Sequence, residues 1–276
     1  MTLLISWLGV DSRKPASIYV ASDSRISWPD GSIFDYGKKT FNCKNYPDVF
    51  GYCGDVLFPS VVLNQLVEII DQGLLFQSEW NCEQKSQAFI DKFIALFNSY
   101  PNQKWIATDA LEVIHCSRDE SSNFFSRKIR WTKASKKWKA ESVKFESYSD
   151  KLFVTGSGAK EFLMKYETYW ESENKYTSRA LFQCFCHTLA DIQNKSCGGA
   201  PQLVGLYRIK NGKSFGIISQ RQRFFQGMRV DNLTNFDSVE WRNELFERCS
   251  GDTTLRIEGA QSQPNPLLRD ANGATP

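Results

Sequence analysis

The chain has almost no histidine: two residues in 276, His115 and His187, each without a cluster of carboxylates close by in the sequence. A Ser-His-Asp triad or a histidine-rich metal centre is therefore poorly supported, because both need imidazole as base or ligand. Eight cysteines are present, at 43, 53, 82, 116, 184, 186, 197 and 249, but no two form a zinc-spaced CxxC pair. There is no run of about 20 apolar residues that could cross a bilayer. The first residues carry no basic n-region, long apolar stretch or small-residue cleavage site, so they do not read as a signal peptide. Without an export signal, a disulfide framework is not expected, and the cysteines read as buried thiols in a reducing cytoplasm. A net charge of only +3 gives no case for nucleic acid or an anionic membrane surface.

What the chain does have is ordinary globular composition, 41% hydrophobic and 24% charged, with an abundance of aromatics: eight Trp, ten Tyr and twenty Phe. That supports one large domain or two small ones with a substantial core. Residues 2 to 9 read as a largely apolar strand, followed after a polar turn by a second, Ser17 to Asp23. Lys39 to Asn42 and Val49 to Cys53 read as two short strands. Short connections between early strands argue for an antiparallel or mixed sheet. The period then lengthens: Phe58 to Gln72 and Glu83 to Tyr100 carry apolar residues at helical spacing, and Pro101 ends the second. Strands return at Leu111 to Ser117, Phe124 to Trp131, Trp138 to Phe145 and Lys151 to Thr155. Two helices follow at about 159 to 170 and 177 to 194, then strands Gln202 to Arg208 and Ser214 to Ser219. This order suits two stacked sheets with a helix pair on each outer face, spanning residues 1 to 230. Residues 231 to 276 read as an extension, with a short helix at Trp241 to Arg248 and a flexible Pro- and Gln-bearing tail from Gln261.

The most suggestive chemistry lies at the start. Thr2 stands directly behind Met1, at the head of a buried strand. If Met1 is trimmed, as is usual before a small residue, one residue carries both a hydroxyl nucleophile and an amine base. Ser22-Asp23 ends the second strand, Gly37-Lys38-Lys39-Thr40-Phe41 opens the third, and Gly51-Tyr52-Cys53-Gly54-Asp55 closes the fourth. Gly156-Ser157-Gly158 precedes a helix. Each has a plainer reading, as a strand residue, an Asx-turn, an exposed lysine pair, a tight turn or a helix-entry cap.

Taken together and in order, these motifs resemble the proteasome-type N-terminal nucleophile hydrolases, a family that includes proteasome β subunits and the HslV peptidase. The resemblance covers roughly residues 2 to 220. It implies an α+β fold, a four-layer αββα sandwich of two mainly antiparallel sheets, and a threonine-type peptidase acting through an acyl ester. It assigns Thr2 as nucleophile, Lys39 and Asp23 as its electrostatic support, Gly54 as oxyanion donor and Ser157 as partner of the terminal amine. Gly51 and Cys53 are placed beside the substrate. The family's Asp-x-x-Ser-Gly-Gly segment is matched only loosely by Asp191 to Gly199, which leaves Asp191 and Ser196 as candidate supporting residues. Cys197, directly before two glycines, suggests a thiol nucleophile, but no histidine is placed to activate it, and a buried or interface thiol is favoured. No cofactor or metal is expected. The implied partners are a peptide or protein substrate, further copies of the chain in a ring, and an ATP-dependent unfoldase; no nucleic acid or membrane is implied, and the expected location is cytoplasmic. Two other functions stay open: a catalytically silent assembly subunit, and an amidase of the same superfamily acting on a small molecule.

Overall fold

The computed structural model describes residues 2–12, 14–101, 103, 106, 108–169, 172–231 and 235–262. The tail expected from Gln261 lies, beyond residue 262, outside the described residues. Strands β1 (Leu3–Asp11) and β2 (Lys14–Ser22) form the first hairpin. A small hairpin follows, β3 (Ile26–Ser27) with β4 (Ile33–Phe34), and then β5 (Thr40–Asn42) and β6 (Asp48–Cys53). Helices α1 (Leu57–Asp71) and α2 (Cys82–Asn98) come next. Pro59 is tolerated in the first turn of α1, where its missing N–H is no loss. Asn81 starts α2 through a reciprocal capping box with Gln84. Strands β7 (Ala110–Arg118), β8 (Phe124–Thr132), β9 (Lys137–Ser142) and β10 (Asp150–Gly156) lead to α3 (Ala159–Tyr169) and α4 (Ser178–Asp191). The chain closes with β11 (Gln202–Tyr207), β12 (Lys213–Ser219), β13 (Gln222–Phe225), β14 (Met228–Arg229), β15 (Trp241–Asn243) and β16 (Arg248–Cys249).

Among the described residues, one sheet runs β10-β1-β2-β11-β12-β13-β14, with β15 lying parallel to β12 and carrying β16. The other large sheet is a meander, β5-β6-β7-β8-β9, antiparallel throughout. The protein is thus a mixed α/β fold built on mainly antiparallel sheets.

Alternation along the strands sorts the core. In β1, Leu3, Ile5 and Trp7 pack with Phe162 of α3 and Leu181 and Phe185 of α4. Leu4 and Leu8, on the opposite face, join Ile18, Val20, Val49 and Ile114 in a separate cluster that draws on both large sheets. Because successive side chains point to opposite faces, a strand buried on both sides must be apolar nearly throughout, and β1 is. In the smaller sheet, Phe41, Phe50, Tyr52 and Val113 pack on Leu63 and Leu66 of α1 and Phe89 and Phe93 of α2. All eight cysteines are buried and free. Among the described residues, no helix is long and apolar enough to cross a membrane.

The helix expected at Trp241 to Arg248 is not there. Trp241 instead seats its ring over Gly216 of the main sheet, where a Cβ would come within 2.3 Å of the indole. The Asn243 side-chain carbonyl accepts from the N–H groups of Leu245 (3.0 Å) and Glu247 (2.9 Å), closing a turn between β15 and β16. That local capping competes with helix formation, and an open sheet edge beside β12 supplies the alternative partner.

Candidate active site

The site is assembled where β1 begins, β2 ends and β5 begins. Asp23 continues the β1–β2 ladder by one residue, its N–H donating to the Leu3 carbonyl (3.3 Å). This turns its carboxylate back under the start of β1. Oδ1 accepts from Leu3 N (3.0 Å) and Oδ2 from Arg25 N (3.2 Å) and Gly198 N (3.0 Å). Fully buried carboxylates are tolerated when bonded in this way. Lys39, only 1% exposed, points its ammonium at three oxygens: Thr2 Oγ1 (2.8 Å), Asp23 Oδ1 (3.0 Å) and the Arg25 carbonyl (2.5 Å). Three acceptors match the three donors of an ammonium. The Lys39 backbone is held by Gln202, whose Oε1 accepts from Lys39 N (3.0 Å) while its Nε2 donates to the carbonyls of Gly37 (2.6 Å) and Asp23 (3.3 Å).

On the other side of Thr2, its backbone nitrogen donates to Ser157 Oγ (3.2 Å), which in turn lies 3.2 Å from Cys197 Sγ. Gly158 N donates to the Thr2 carbonyl (3.3 Å). Gly156 has φ +90°, and a Cβ there would stand 2.0 Å from the Thr2 carbonyl oxygen, so only glycine allows this approach. Gly54, directly after β6, has φ +104° and no room for a Cβ, which would meet the Ala110 carbonyl at 2.1 Å.

Thr2, Asp23, Lys39 and Ser157 therefore form one continuous hydrogen-bonded cluster. It brings together a hydroxyl, a buried cation and a carboxylate, and sets a second hydroxyl against the backbone nitrogen of Thr2. Such an arrangement can stabilise negative charge on Thr2 Oγ1. Burial, reinforced by the Asp23 charge, pushes the Cys197 thiol up to about 11, so it stays protonated near neutrality and is a poor nucleophile. Neither histidine serves this cluster: His115 pairs with Asp48 (2.7 Å) and stacks on Phe50, and His187 pairs with Tyr169 (2.7 Å). Among the described residues, no group of three or more His, Cys, Asp or Glu side chains is arranged to hold a metal ion.

No protein-family model matches the sequence, and no curated protein matches it. Solved structures do. The chain is similar to Anbu (ancestral beta-subunit) from Yersinia bercovieri, with 10% identity and a TM-score of 0.52 over 76% of this chain and 86% of that one. It is also similar to Thiobacillus denitrificans BPH in complex with epoxomicin, with 11% identity and a TM-score of 0.50 over 76% of this chain and 100% of the other. The fold is that of the proteasome-type N-terminal nucleophile hydrolases.

Within this Ntn-hydrolase fold, other expected residues stand elsewhere than the sequence suggested. Gly51 faces the region between the sheets, where a Cβ would clash with Val20 and Leu4 side chains at 2.6 and 2.8 Å; its role is to admit them. Cys53 shares that face by strand parity, with its thiol 3.9 Å from Thr155 Oγ1 and pushed up to about 12 by burial. Neither presents an exposed side chain to a substrate. Asp191 sits at the exposed end of α4, paired with Lys165 of α3. Ser196 bonds through its N–H to the Asn194 side chain (3.0 Å), inside the turn after α4. This turn reaches the site through Gly198 and Cys197 instead, because α4 ends at Asp191 and the chain must reverse before β11.

Sequence reading missed Arg25, Gln202 and Gly198. The Arg25 guanidinium forks onto Asp35 (2.6 and 2.9 Å) and donates to the carbonyls of Cys197 (3.2 Å) and Lys195 (3.3 Å), clamping the turn after α4 against the base of the β3–β4 hairpin. The bond to Asp35 raises its already high pKa further. Arg25 follows Asp23 by two residues, and Gly198 belongs to an adjacent glycine pair; both were readable as signals. Gln202 carries no local signal, since its partners lie more than 160 residues away.

Proposed function

We propose that this protein is a threonine-type peptidase of the proteasome-like kind, with Thr2 as its nucleophile after removal of Met1. The observation that carries the reading is the Lys39 ammonium, buried and bonded at once to Thr2 Oγ1 and Asp23. An isolated buried lysine is costly; here Asp23 and the Arg25 carbonyl offset that cost, and the third donor is aimed at the Thr2 hydroxyl. Once Thr2 is the first residue, its amine, with a pKa of about 7.7–8.0 in model compounds, is available as base near neutral pH. The amine takes the Oγ1 proton, with the Ser157 hydroxyl beside it to hold or pass that proton. Oγ1 then bonds to the peptide carbonyl carbon, and the oxyanion is met by the Gly54 N–H. Collapse returns the proton to the leaving amine and leaves an acyl ester on Thr2. Water, deprotonated by the same amine, hydrolyses the ester.

The rest of the reading follows from the same family likeness. Three of the core clusters, one per helix pair and one drawing on both sheets, support a four-layer αββα sandwich. Assembly into a homo-oligomeric ring, action in the cytoplasm and service to an unfoldase belong to the same proposal.

Intact-mass measurement before and after treatment with epoxomicin tests it. The expected result is a chain lacking Met1 that gains one inhibitor mass, with no gain in Thr2→Ala. Retained Met1 refutes the reading. A chain that begins at Thr2 but takes no label and cleaves no peptide supports instead a silent assembly subunit or a small-molecule amidase. Sedimentation as a monomer would remove the ring.

A further inference from the structure

Glu112 and Thr155 form a polar bridge between the sheets. Glu112 lies on β7, opposite Cys53 in register and one residue from the strand position next to Gly54. The residue is 6% exposed, and its carboxylate accepts the Thr155 hydroxyl at 2.5 Å. Thr155 lies on β10, opposite Leu4 of β1 and directly before Gly156-Ser157. Two cations on β8 balance the acid: Arg130 Nε at 3.3 Å from Oε1 and Lys128 Nζ at 3.8 Å from Oε2, the latter also paired with Glu141. The bridge therefore ties the strand on which Gly54 packs to the strand that leads into Ser157 and crowds the Thr2 carbonyl.

Away from these two cations, the surroundings of the bridge are apolar. Leu4, Leu8, Val20, Val49, Ile114 and Phe153 fill the same interior. Apolar contact is non-directional and tolerates sliding by fractions of an ångström, whereas a short hydrogen bond to a charged acceptor fixes both distance and direction. A half-ångström shift between nucleophile and oxyanion donor matters for reaction rate far more than for stability.

We infer that Glu112 and Thr155 are positioning residues, which hold the Gly54 turn on one sheet in register with Thr2 and Ser157 on the other. This rests on the peptidase reading above. The acid touches no reacting atom; it acts through Thr155 and the backbone that follows. The bridge favours the turnover step over binding, because it sets the relation of nucleophile to oxyanion donor and not the walls that contact substrate.

Thr155→Val is the discriminating variant. It keeps shape and β-branching while removing the hydroxyl that Glu112 accepts, and Thr155→Ser restores that hydroxyl. The expected result is a fall of about five- to tenfold in kcat and in the epoxomicin labelling rate, the effect of one hydrogen bond, with KM unchanged and recovery in Thr155→Ser. Glu112→Gln, which keeps an acceptor but loses the charge, is expected to fall between. Should Thr155→Val fold and be labelled at the wild-type rate, the positioning role is wrong while the peptidase reading stands. A rise in KM without a fall in kcat would also overturn it. Wild-type protein that takes no label at Thr2 overturns both, since there is then no reaction to position.

Discussion

Replacing Lys39 by Met removes the charge and keeps most of the length of the side chain, which makes it the sharpest probe of the site. In the native protein the ammonium stands 2.8 Å from Thr2 Oγ1. At an effective dielectric of about 20, a full negative charge at that distance gains about 6 kcal/mol. If about half a charge develops on Oγ1 before the new bond completes, about 3 kcal/mol is lost in the variant, close to a hundredfold in rate. Stability suffers for a separate reason. Asp23 keeps its bonds from Leu3, Arg25 and Gly198, but its buried charge loses its cation. Breaking a buried pair from one side costs about 3–5 kcal/mol, and the three remaining N–H donors place this case at the lower end. Asp23→Asn combined with Lys39→Met removes both charges and is expected to recover part of the stability but none of the activity. Epoxomicin labelling, peptide hydrolysis and urea unfolding on wild type, single and double variants separate the two effects. A Lys39→Met protein that begins at Thr2 and keeps kcat/KM within about threefold of wild type would falsify the electrostatic role. A double variant that regains activity along with stability would refute it equally.

Three further outcomes follow from the geometry. Gly156→Ala is expected to lose about 2 kcal/mol or more of stability and essentially all labelling, because φ is +90° and the new methyl meets the Thr2 carbonyl; unchanged melting would mean that the turn relaxes freely. Thr2→Ala should fold normally yet take no inhibitor mass, checked by circular dichroism beside mass spectrometry. His187, whose pKa is lowered by burial and then by the Lys165 charge, makes the fold acid-sensitive. Below about pH 6.5 the unfolded chain binds this proton first, so stability falls as pH drops from there toward the folded-state pKa and then levels. Urea midpoints between pH 7.5 and 5 should fall less steeply in His187→Gln than in wild type; equal slopes would exclude His187 as a contributor.

Local physics made much of the architecture legible. Apolar periodicity changes from two to between three and four and back as the chain passes from strand to helix pair to strand, and the elements stand where those changes occur. Where the reading failed, a distant partner had overridden a local preference. Trp241 to Arg248 has no strong breaker, yet it adds to the sheet because Gly216 leaves a seat for the indole ring. The loose match of residues 191 to 199 to the family's Asp-x-x-Ser-Gly-Gly segment makes Asp191 a candidate support, but helix α4 carries it to the surface, to Lys165.

What the sequence determined by itself was the order of the main elements through β12, the hydroxyl at position 2 directly behind Met1, and the candidate acid, lysine and glycine turns. Those are set by side-chain type and short-range spacing, which a linear reading can see. Only the tertiary structure decided which of them meet. Lys39 reaches Thr2 and Asp23 because β1, β2 and β5 converge at one corner, and Gln202 and Gly198 join them from the far end of the chain. It also decided that Gly51 and Cys53 face the interior, since strand parity turns the Cys53 thiol and the open side of Gly51 between the sheets. Convergence of this kind depends on the packing of two sheets against each other, and no residue carries it alone.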